Sequence, residues 1–478
     1  MRLTNHFTRV WNSPTITTWI KLSVNLASIA VILPFALRSF TTEEIAVYLL
    51  FSTITGFQMI FTLGFTPTFA RYFAYAKGGL TIESIKELDT DTVATTSLTN
   101  WESVERIAGA GKWLYGLIAL GTFLILISIG SLLVQNSIEQ LDDPHTGWLS
   151  WGIVCLSLSA AAGSALYSAY LTGMGHIAFA SRWHTLGGLG GLLTCVFVLL
   201  CNGNLLAVIL ARHTWLIASN FILLPIARNV EAGRWKKFNS RWDLSVFSMT
   251  WQSAWRSAIG LLGNNGISNG LAVFYSAVAN PFQLASFLLT FRINQAIVST
   301  SQAPFYSQLP RIHKAYVSKD TEQFESESAR RITYSLWAYT LPAVVFLAFA
   351  RPAIQMLQGN ADLPSPDIVG TLLFAFYLER YADMLLQVYT TTNTVIWHWY
   401  TLAYGIAISV LIYPLYQHFG ILGIALCLML ARLLASVPYT WILMHRLLRT
   451  NLLRWHRPMI APTILLICSI AIACLVHQ

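Results

Sequence analysis

The sequence predicts an all-α polytopic membrane protein. Of its 478 residues, 55% are hydrophobic and only 11% are charged, and the mean hydropathy is +0.56. Soluble domains are roughly 45–50% apolar and about 25% charged. Domains with surfaces so poor in charge would not remain in water, which excludes a soluble enzyme, a disordered chain and a disulfide scaffold.

Apolar stretches of membrane-spanning length recur along the chain. A helix that crosses the bilayer needs about 20 mainly apolar residues. Twelve spans are predicted near residues 15–37, 45–66, 107–133, 148–171, 185–201, 205–226, 250–278, 282–306, 332–350, 368–393, 397–416 and 420–443. A further run from Met459 to Val476 is long enough for a thirteenth span. Because the N-terminus does not show a short apolar core followed by a small-residue cleavage site, the first span is expected to stay in the protein.

The charges of the predicted loops alternate from one side of the membrane to the other. Lysine and arginine in short loops mark the cytoplasmic side. The loops on the same side as the N-terminus contain most of them: Lys77, Lys86, Arg106, Arg228, Arg234, Lys236, Lys237, Arg241, Arg311, Lys314, Lys319, Arg330, Arg331, Arg446, Arg449, Arg454 and Arg457. The opposite loops contain the acidic residues Glu43, Glu44, Glu139, Asp142, Asp143, Asp362 and Asp367. The sequence therefore predicts a multi-pass protein with a cytoplasmic N-terminus.

The spans divide into two halves of six. The segment Gly203–Arg212 on the sixth span and the segment Gly423–Arg432 on the twelfth share Gly, Leu, Leu, Ala and Arg at the same positions. A repeat of this kind predicts two parallel six-helix lobes. The predicted organisation is an N-terminal lobe over residues 1–226, a basic cytoplasmic linker over 227–245, a C-terminal lobe over 246–445, and a basic segment with the thirteenth helix over 446–478.

Several predicted spans carry polar residues at helical spacing. A charged side chain at the centre of the bilayer costs about 2.5–3.5 kcal/mol on insertion scales, so it usually faces a cavity or a partner. The stripes on the first, second, seventh and eighth spans predict a water-filled central cavity between the two lobes. Their members are Thr18, Lys21, Asn25 and Ser28; Thr55, Gln58, Thr62 and Thr66; Ser253, Arg256, Ser257, Asn264, Ser268 and Asn269; and Arg292, Gln295, Ser299 and Gln302. Hydrogen bonds between helices are the alternative, and we favour them for the serines and threonines.

The charged candidates for this cavity are cationic. The predicted substrate-binding residues are Lys21, Asn25, Arg71, Arg256, Asn264 and Arg292. Guanidinium groups bind phosphate oxygens in a bidentate geometry, so such a cavity fits an anionic ligand. A route for cationic drugs would favour acidic residues instead. Lys21 and Arg71 lie near the predicted inner face, where side chains that extend to the interface are the alternative explanation.

The tenth span is unusual because it carries Glu379, Arg380 and Asp383. Glu379 and Asp383 are i,i+4 neighbours, and Arg380 is i,i+3 from Asp383. One interpretation is a buried arginine–carboxylate pair that fixes the helix. The other is a protonatable or cation-binding group that couples transport to an H⁺ or Na⁺ gradient, and it makes all three residues candidates for ion coupling. For Arg432 and its counterpart Arg212, a structural role is expected.

Signatures of other chemistries are absent from the sequence. It contains neither a P-loop nor an HExxH motif, and its six cysteines do not form a zinc-type spacing. The predicted outer loops are short for a membrane glycosyltransferase, although Glu43 and Glu44 keep that alternative open. Because the basic residues lie in loops between spans, they do not indicate a nucleic-acid partner. We therefore expect neither enzymatic activity nor a bound metal or cofactor.

Four segments carry a resemblance to a known family. The second span ends in Leu63–Ala74 with Gly64, Pro67 and Arg71, and the fourth ends in Leu171-Thr172-Gly173-Met174-Gly175-His176-Ile177. The eighth contains Phe291-Arg292-Ile293 and runs into Leu309-Pro310-Arg311-Ile312, and the twelfth begins with Phe419-Gly420-Ile421-Leu422-Gly423-Ile424-Ala425. In order and placement these segments are similar to those of the multidrug/oligosaccharidyl-lipid/polysaccharide (MOP) exporter superfamily. They resemble most its oligosaccharide (Wzx-like) flippase branch.

The resemblance implies a fold and a function. It implies two lobes around a V-shaped central cavity, alternating access, and a location in the bacterial cytoplasmic (inner) membrane. The implied cargo is a polyprenyl-diphosphate-linked oligosaccharide or exopolysaccharide unit, an anionic glycan lipid whose diphosphate Arg292 would contact. Other polysaccharide-assembly proteins are possible partners beside the membrane lipids. A drug/cation antiporter of the same superfamily and a non-transporting subunit of a polysaccharide-secretion complex remain alternatives.

Overall fold

The computed structural model describes residues 31–62, 64–86, 98–262, 266–356, 360–392, 397–448 and 452–476. For residues 178, 252, 253, 256, 257, 261, 310, 314 and 317 it describes the backbone alone. Within these ranges all regular secondary structure is helical, which confirms the predicted all-α class.

The main helices lie in two parts of the chain. In the first part of the chain they are α1 (Thr42–Thr55), α2 (Phe65–Lys77), α3 (Trp101–Ile125, continued by Leu126–Gly130 and Ser131–Glu139), α4 (Pro144–Gly173), α5 (Ile177–Leu200), α6 (Leu205–Phe221, continued by Leu223–Asn229), α7 (Leu244–Leu261) and α8 (Ile267–Ser276). In the second part they are α9 (Pro281–Ser301), α10 (Thr321–Met356), α11 (Pro366–Tyr389), α12 (Trp397–Phe419), α13 (Ile421–Ala431, continued by Arg432–Ser436 and Val437–Leu447) and α14 (Ile460–Val476). The short helices are Gln58–Phe61, Ile82–Lys86, Glu231–Lys237, Ala303–Tyr306, Leu309–Val317, Thr390–Thr392, Leu452–His456 and Arg457–Met459.

Among the described residues, nine helical stretches are long and apolar enough to cross a membrane. They are Thr42–Lys77, Trp101–Glu139, Pro144–Gly173, Phe179–Leu200, Leu205–Asn229, Thr321–Met356, Trp397–Phe419, Ile421–Leu447 and Leu452–Val476. The last of these contains the predicted thirteenth span. Helix α11 is not in this set because Glu379, Arg380 and Asp383 lie within it. These helices make the chain a multi-pass membrane protein.

The chain forms two compact units. The first comprises the described residues up to Asn269 together with Val273–Val278, and the second comprises Gly270–Ala272 and the residues from Ala279 onward. Helix α7 belongs to the first unit, whereas the sequence map places it at the start of the C-terminal lobe. The six-plus-six lobe boundaries themselves stay a prediction.

Polar caps fix where several helices begin. Thr41 caps α1 through its hydroxyl oxygen, which accepts from the backbone N–H of Glu44 at 3.3 Å, while the Glu44 carboxylate accepts from the backbone N–H of Thr41 at 3.1 Å. Asp143 precedes Pro144 and accepts from the backbone N–H of His145 at 3.1 Å at the start of α4. Each cap satisfies a backbone donor that the first helical turn leaves without an intrahelical partner. The long helices therefore start at defined residues just outside the apolar stretches.

The core of the first unit is aromatic where helices α2, α3 and α4 meet. The Phe73 ring lies edge-on to the Tyr170 ring with centroids 5.3 Å apart, and the Phe69 ring lies 5.6 Å from that of Tyr115. Gly173 lets α4 approach α2, since a Cβ at this position would lie 2.4 Å from the Ala70 carbonyl oxygen. Close backbone approach at small residues is a common way for membrane helices to pack.

The second unit is built around α11, which packs against α9, α10, α13 and α14. Eighteen of its residues are buried, including its three central charged residues. The C-terminal helix α14 packs against the N-terminal half of α11, where Tyr377 and Thr463 share a hydrogen bond of 2.6 Å and Gly370 faces Ile470. The neighbouring helices therefore bury Glu379, Arg380 and Asp383 in the middle of α11.

Candidate functional site

The structure describes two of the six predicted substrate-binding residues in full. Lys21, Asn25 and Asn264 lie outside the described residues, and for Arg256 the backbone of α7 is described without its side chain. Arg71 lies on α2 in the first unit, and Arg292 lies on α9 in the second unit. Their assignment to one substrate site therefore stays a prediction.

Arg71 is exposed on α2. Its guanidinium carbon lies 5.7 Å from the centroid of the Tyr72 ring, while Tyr72 itself is buried and donates a hydrogen bond to the carbonyl oxygen of Met249 at 3.1 Å. The fixed neighbour thus places the arginine at the surface of the first unit. A cation in this position is accessible to a ligand or to a lipid headgroup.

Arg292 is half-buried on a helix with two distinct faces. The buried face includes Asn294, which accepts a hydrogen bond from the hydroxyl of Tyr339 at 3.1 Å. On the other face, the Nη1 of Arg292 donates to the Oε1 of Gln295 at 3.1 Å, and Ser299 follows one turn later as an exposed residue. This stripe matches the predicted spacing of Arg292, Gln295 and Ser299. Gln295 is a neutral side chain on the same helix, so this hydrogen bond orients the guanidinium without neutralising its charge.

The second unit also contains a buried cluster of charged and phenolic side chains, the charge cluster of Glu379, Asp383, Tyr400, Tyr404 and Arg432. Arg432 donates from Nη2 to the Glu379 carboxylate at 2.8 Å, with side chains 1% and 10% exposed. Its Nη1 donates to the Tyr400 hydroxyl at 3.1 Å, and that hydroxyl donates to the Oδ1 of Asp383 at 3.0 Å. The guanidinium carbon lies 3.6 Å from the centroid of the Tyr404 ring. One phenol therefore joins the arginine to the second carboxylate.

Local structure explains why Arg432 reaches this cluster. It begins the wide turn Arg432–Ser436, a short π-helical interruption of α13. Such interruptions often occur at functional or strained positions, because one extra residue per turn changes the direction of the side chains. The sequence analysis expects a structural role for Arg432, and its ion pair with Glu379 agrees with that role.

Arg380 occupies a different position from the one that its sequence spacing indicates. The i,i+3 spacing suggests a pair with Asp383, but the ion pair found on α11 within the described residues is that of Glu379 with Arg432. The guanidinium of Arg380 lies 5.4 Å from the centroid of the Tyr306 ring, and the side chain is 1% exposed. Its Nε and Nη2 atoms are buried without a hydrogen-bond partner among the described residues. A buried donor without a partner is costly, so this arginine is held at the expense of stability.

Tyrosines were missed as members of this cluster by the sequence reasoning. Tyr400 and Tyr404 lie on α12, and neither is among the candidate residues of the sequence analysis. A weak signal was available, since their i,i+4 spacing places both phenols on one helix face.

The first unit has a smaller polar contact beside Arg212, the counterpart of Arg432. The Nδ1 of His213, the next residue, lies 2.5 Å from the hydroxyl oxygen of Ser157.

Metal binding receives no support from the arrangement of side chains. In the part of the chain that the structure describes, no group of three or more His, Cys, Asp or Glu residues is placed to hold a metal ion. The cysteines there are free thiols.

Comparisons with known proteins identify the fold. No protein-family model matches the sequence, and no curated protein matches it. Among solved structures, the lipid II flippase MurJ in an inward closed conformation matches with a TM-score of 0.64 at 10% identity, over 95% of this chain and 91% of that chain. An inward-facing multidrug resistance MATE family transporter of the MOP superfamily matches with a TM-score of 0.60 at 13% identity, over 89% of this chain and 94% of that chain.

A third match is a MOP superfamily transporter from Pyrococcus furiosus, described as having a binding pocket of reverse polarity. Its TM-score is 0.53 at 11% identity, over 92% of this chain and 97% of that chain. All three are transporters, and at these identities the likeness shows the fold alone. The chain therefore has the fold of MOP-superfamily membrane transporters, and the resemblance predicted from its four segments is confirmed at that level.

Proposed function

We propose that this chain moves a polyprenyl-diphosphate-linked oligosaccharide or exopolysaccharide unit across the bacterial cytoplasmic (inner) membrane by alternating access. Its N-terminus lies in the cytoplasm in this proposal. The chain is a transporter without enzymatic activity and needs neither a metal nor a cofactor. Its partners are the lipid-linked anionic glycan, the surrounding membrane lipids and other polysaccharide-assembly proteins.

The observation that carries the proposal is the environment of Arg292. It is a half-buried arginine in the middle of α9, and its Nη1 donates a hydrogen bond of 3.1 Å to the neutral side chain of Gln295. A guanidinium kept cationic at this depth suits a diphosphate, which offers several oxygens to its N–H groups. Arg71 and Arg256, and Lys21 with Asn25 and Asn264, complete the proposed diphosphate site.

The carboxylates of the second unit do not bind a cationic drug substrate in this proposal. Glu379 is neutralised by Arg432 at 2.8 Å, and Asp383 is held by the Tyr400 hydroxyl. A drug/cation antiporter would be expected to present acidic side chains to its substrate. That alternative is kept because one of the structural matches is a multidrug transporter, and because the transporter of reverse pocket polarity illustrates how one fold accompanies pockets of different charge.

Ion coupling is assigned to Asp383 in preference to Glu379. Glu379 forms a direct ion pair with Arg432. Protonation of Glu379 would leave the buried charge of Arg432 without its partner, which is costly in free energy. Asp383 accepts a hydrogen bond from a neutral phenol, and that contact survives protonation of the other carboxylate oxygen. Coupling to H⁺ or Na⁺ through Asp383, with Arg380 beside it on α11, therefore requires the smaller rearrangement.

The test is flipping of a fluorescent polyprenyl-diphosphate glycan in proteoliposomes. Arg292→Ala is expected to reduce the flipping rate at least tenfold, with Arg292→Lys restoring it in part, because a lysine keeps the charge and loses the bidentate geometry. Arg457→Ala is the matched control, since Arg457 is an exposed arginine between α13 and α14. Flipping at the wild-type rate in Arg292→Ala would overturn the site. Uptake of a cationic dye in place of the glycan lipid would favour the antiporter, and the absence of both activities would favour a non-transporting subunit.

A further inference from the structure

The linker of residues 227–245 has a feature that glycan transport does not use. It contains five basic residues, Arg228, Arg234, Lys236, Lys237 and Arg241, and two acidic residues, Glu231 and Asp243. It connects α6 to α7 and belongs entirely to the first unit. The contacts of these residues divide the linker into an inner face and an outer face.

Aromatic packing fixes the inner face to the end of the first unit. Trp235 is 3% exposed, and its ring centroid lies 4.5 Å from that of Tyr170 and 5.7 Å from that of Tyr167. The Nζ of Lys112 lies 5.4 Å from the Trp235 ring centroid and donates a hydrogen bond of 2.5 Å to the carbonyl oxygen of Phe238. The backbone also comes close to α3, since a Cβ on Gly109 would lie 2.6 Å from the carbonyl oxygen of Asn239. The linker is thus part of the packed unit.

The acidic residues of the linker contact basic side chains elsewhere in the first unit. The Glu231 carboxylate lies 3.2 Å from the Nε2 of His176 and 3.9 Å from the Nζ of Lys77. The Asp243 carboxylate accepts from the Nε of Arg106 at 2.8 Å and caps the start of α7. Because both negative charges are paired inward, they do not compensate the basic residues on the outer face.

The outer face combines positive charge with exposed apolar side chains. All five basic residues of the linker are exposed, and the guanidinium of Arg234 lies 4.3 Å from the centroid of the Trp101 ring. Arg228, Lys236, Lys237 and Arg241 form the basic part of the outer face. Directly after them, Trp242 is 48% exposed and Leu244 is 68% exposed. This face begins at Arg228, in the last turn of a helix long and apolar enough to cross the membrane, so it lies at the membrane edge. Tryptophan beside basic residues is typical of segments that lie in the headgroup region.

We propose that the outer face of the linker binds the headgroups of anionic phospholipids. The basic side chains of the outer face bind the phosphates, and Trp242 and Leu244 enter the boundary between headgroups and acyl chains. A fixed linker loses little conformational entropy when lipids bind, because its backbone is already ordered by Trp235 and its neighbours. An acidic soluble protein would not explain two large apolar side chains exposed at the membrane edge.

The first experiment measures lipid retention by native mass spectrometry. Protein is released from nanodiscs of phosphatidylcholine mixed with phosphatidylglycerol, and retained phosphatidylglycerol is counted for the wild type and for Lys236→Gln/Lys237→Gln/Arg241→Gln. A basic side chain near an anionic surface contributes a factor of about five in affinity, so three substitutions are expected to weaken retention by roughly one to two orders of magnitude. Arg446→Gln/Arg454→Gln/Arg457→Gln is the control of equal charge loss, with three exposed arginines of the second unit.

A second measurement separates lipid binding from loss of folding. Hydrogen–deuterium exchange of residues 236–245 is compared in nanodiscs with and without phosphatidylglycerol. The wild type and the control are expected to exchange several-fold more slowly with the anionic lipid, whereas the linker variant exchanges at the same rate in both. Protection that does not depend on phosphatidylglycerol, or equal lipid retention in the linker variant and the wild type, would overturn the proposal.

Discussion

The guanidinium of Arg432 and the carboxylate of Glu379 form an ion pair of 2.8 Å that is almost closed to solvent. The two residues are 53 positions apart and lie on different helices of the second unit. Removing one partner of such a pair leaves a buried charge without compensation, whereas replacing both partners by neutral residues is often tolerated.

Arg432→Met is therefore expected to destabilise the protein by about 3–5 kcal/mol. The double variant Arg432→Met/Glu379→Gln should recover most of this loss, because both charges of the pair are then removed together. Thermal unfolding in detergent measures both. Equal losses in the single and the double variant would mean that the packing of Arg432 over Tyr404, and not its charge, stabilises the second unit.

Asp383→Asn is expected to abolish the pH or Na⁺ dependence of transport while the protein still folds. Asparagine keeps an oxygen that can accept from the Tyr400 hydroxyl, so the hydrogen bond observed at 3.0 Å remains possible. Transport at several pH values and Na⁺ concentrations in proteoliposomes measures the change. A dependence equal to that of the wild type would assign Asp383 to the structural cluster instead.

The buried donors of Arg380 lead to a separate prediction. Its Nε and Nη2 lack hydrogen-bond partners in the described part of the chain. Arg380→Met therefore removes the free-energy cost of these buried donors together with the contact to the Tyr306 ring. Thermal stability is expected to stay within about 1 kcal/mol of the wild type or to rise. A loss as large as that of Arg432→Met would contradict this, and unchanged stability with lost transport would assign Arg380 a functional role.

Acid should weaken the ion pair between Asp243 of the linker and Arg106 of α3. Burial alone would raise the pKa of this carboxyl, but the hydrogen bond from Arg106, the cap to the Val246 and Ser245 backbone and the Arg106 charge outweigh it and hold the pKa below the ordinary aspartate value. A lowered pKa in the folded state means that the stabilisation is fully present above the ordinary pKa. It is lost as the pH falls through the lowered one.

Asp243→Asn keeps the helix cap and removes the charge. We expect it to cost about 1 kcal/mol at neutral pH, since the pair is partly exposed, and to flatten the stability profile on the acid side. Unfolding curves from neutral to acidic pH for the variant and the wild type supply the test. Parallel profiles would show that Asp243 acts through its cap alone.

Gly370 determines how closely α14 approaches α11. A Cβ at this position would lie 2.5 Å from the Cγ2 of Ile470. Gly370→Val should displace α14 and destabilise the protein by about 1–3 kcal/mol, and Gly370→Val/Ile470→Ala should restore part of the loss. Gly152→Val on α4 is the matched control, because no atom lies within 4 Å of a Cβ there. Faster hydrogen exchange of residues 460–476 in Gly370→Val alone is the expected result.

Composition and hydropathy predict the all-helical membrane fold because long apolar helices leave a strong local signal. The ends of the helices are less predictable. The predicted span 107–133 is observed as a helical stretch from Trp101 to Glu139. Hydropathy misses its first turns because they carry Glu102, Glu105 and Arg106. These charged turns lie outside the apolar stretch, yet they are helical, and Arg106 in them binds Asp243 of the linker.

The charge cluster could be predicted only in part for a different reason. The sequence marks Glu379, Asp383 and Arg432 as unusual in an apolar setting, but it does not contain the tertiary contact that joins α11 to α13. Spacing along one helix favours Arg380 as the partner of Asp383, whereas the arginine that forms the ion pair comes from a separate helix. The bridging phenol of Tyr400 follows from the packing of a third helix.

The docked linker also determines how the protein can be divided and made. A polypeptide that stops at residue 226 would lack Trp235, and Tyr170 and Tyr167 would then lose the indole ring that covers them. During synthesis on the ribosome, the first unit can complete its core only after the linker and α7 have emerged. Because the first unit also includes Val273–Val278, a break between two separately expressed halves belongs after Val278. A break at the end of α6 is expected to give an incomplete first half.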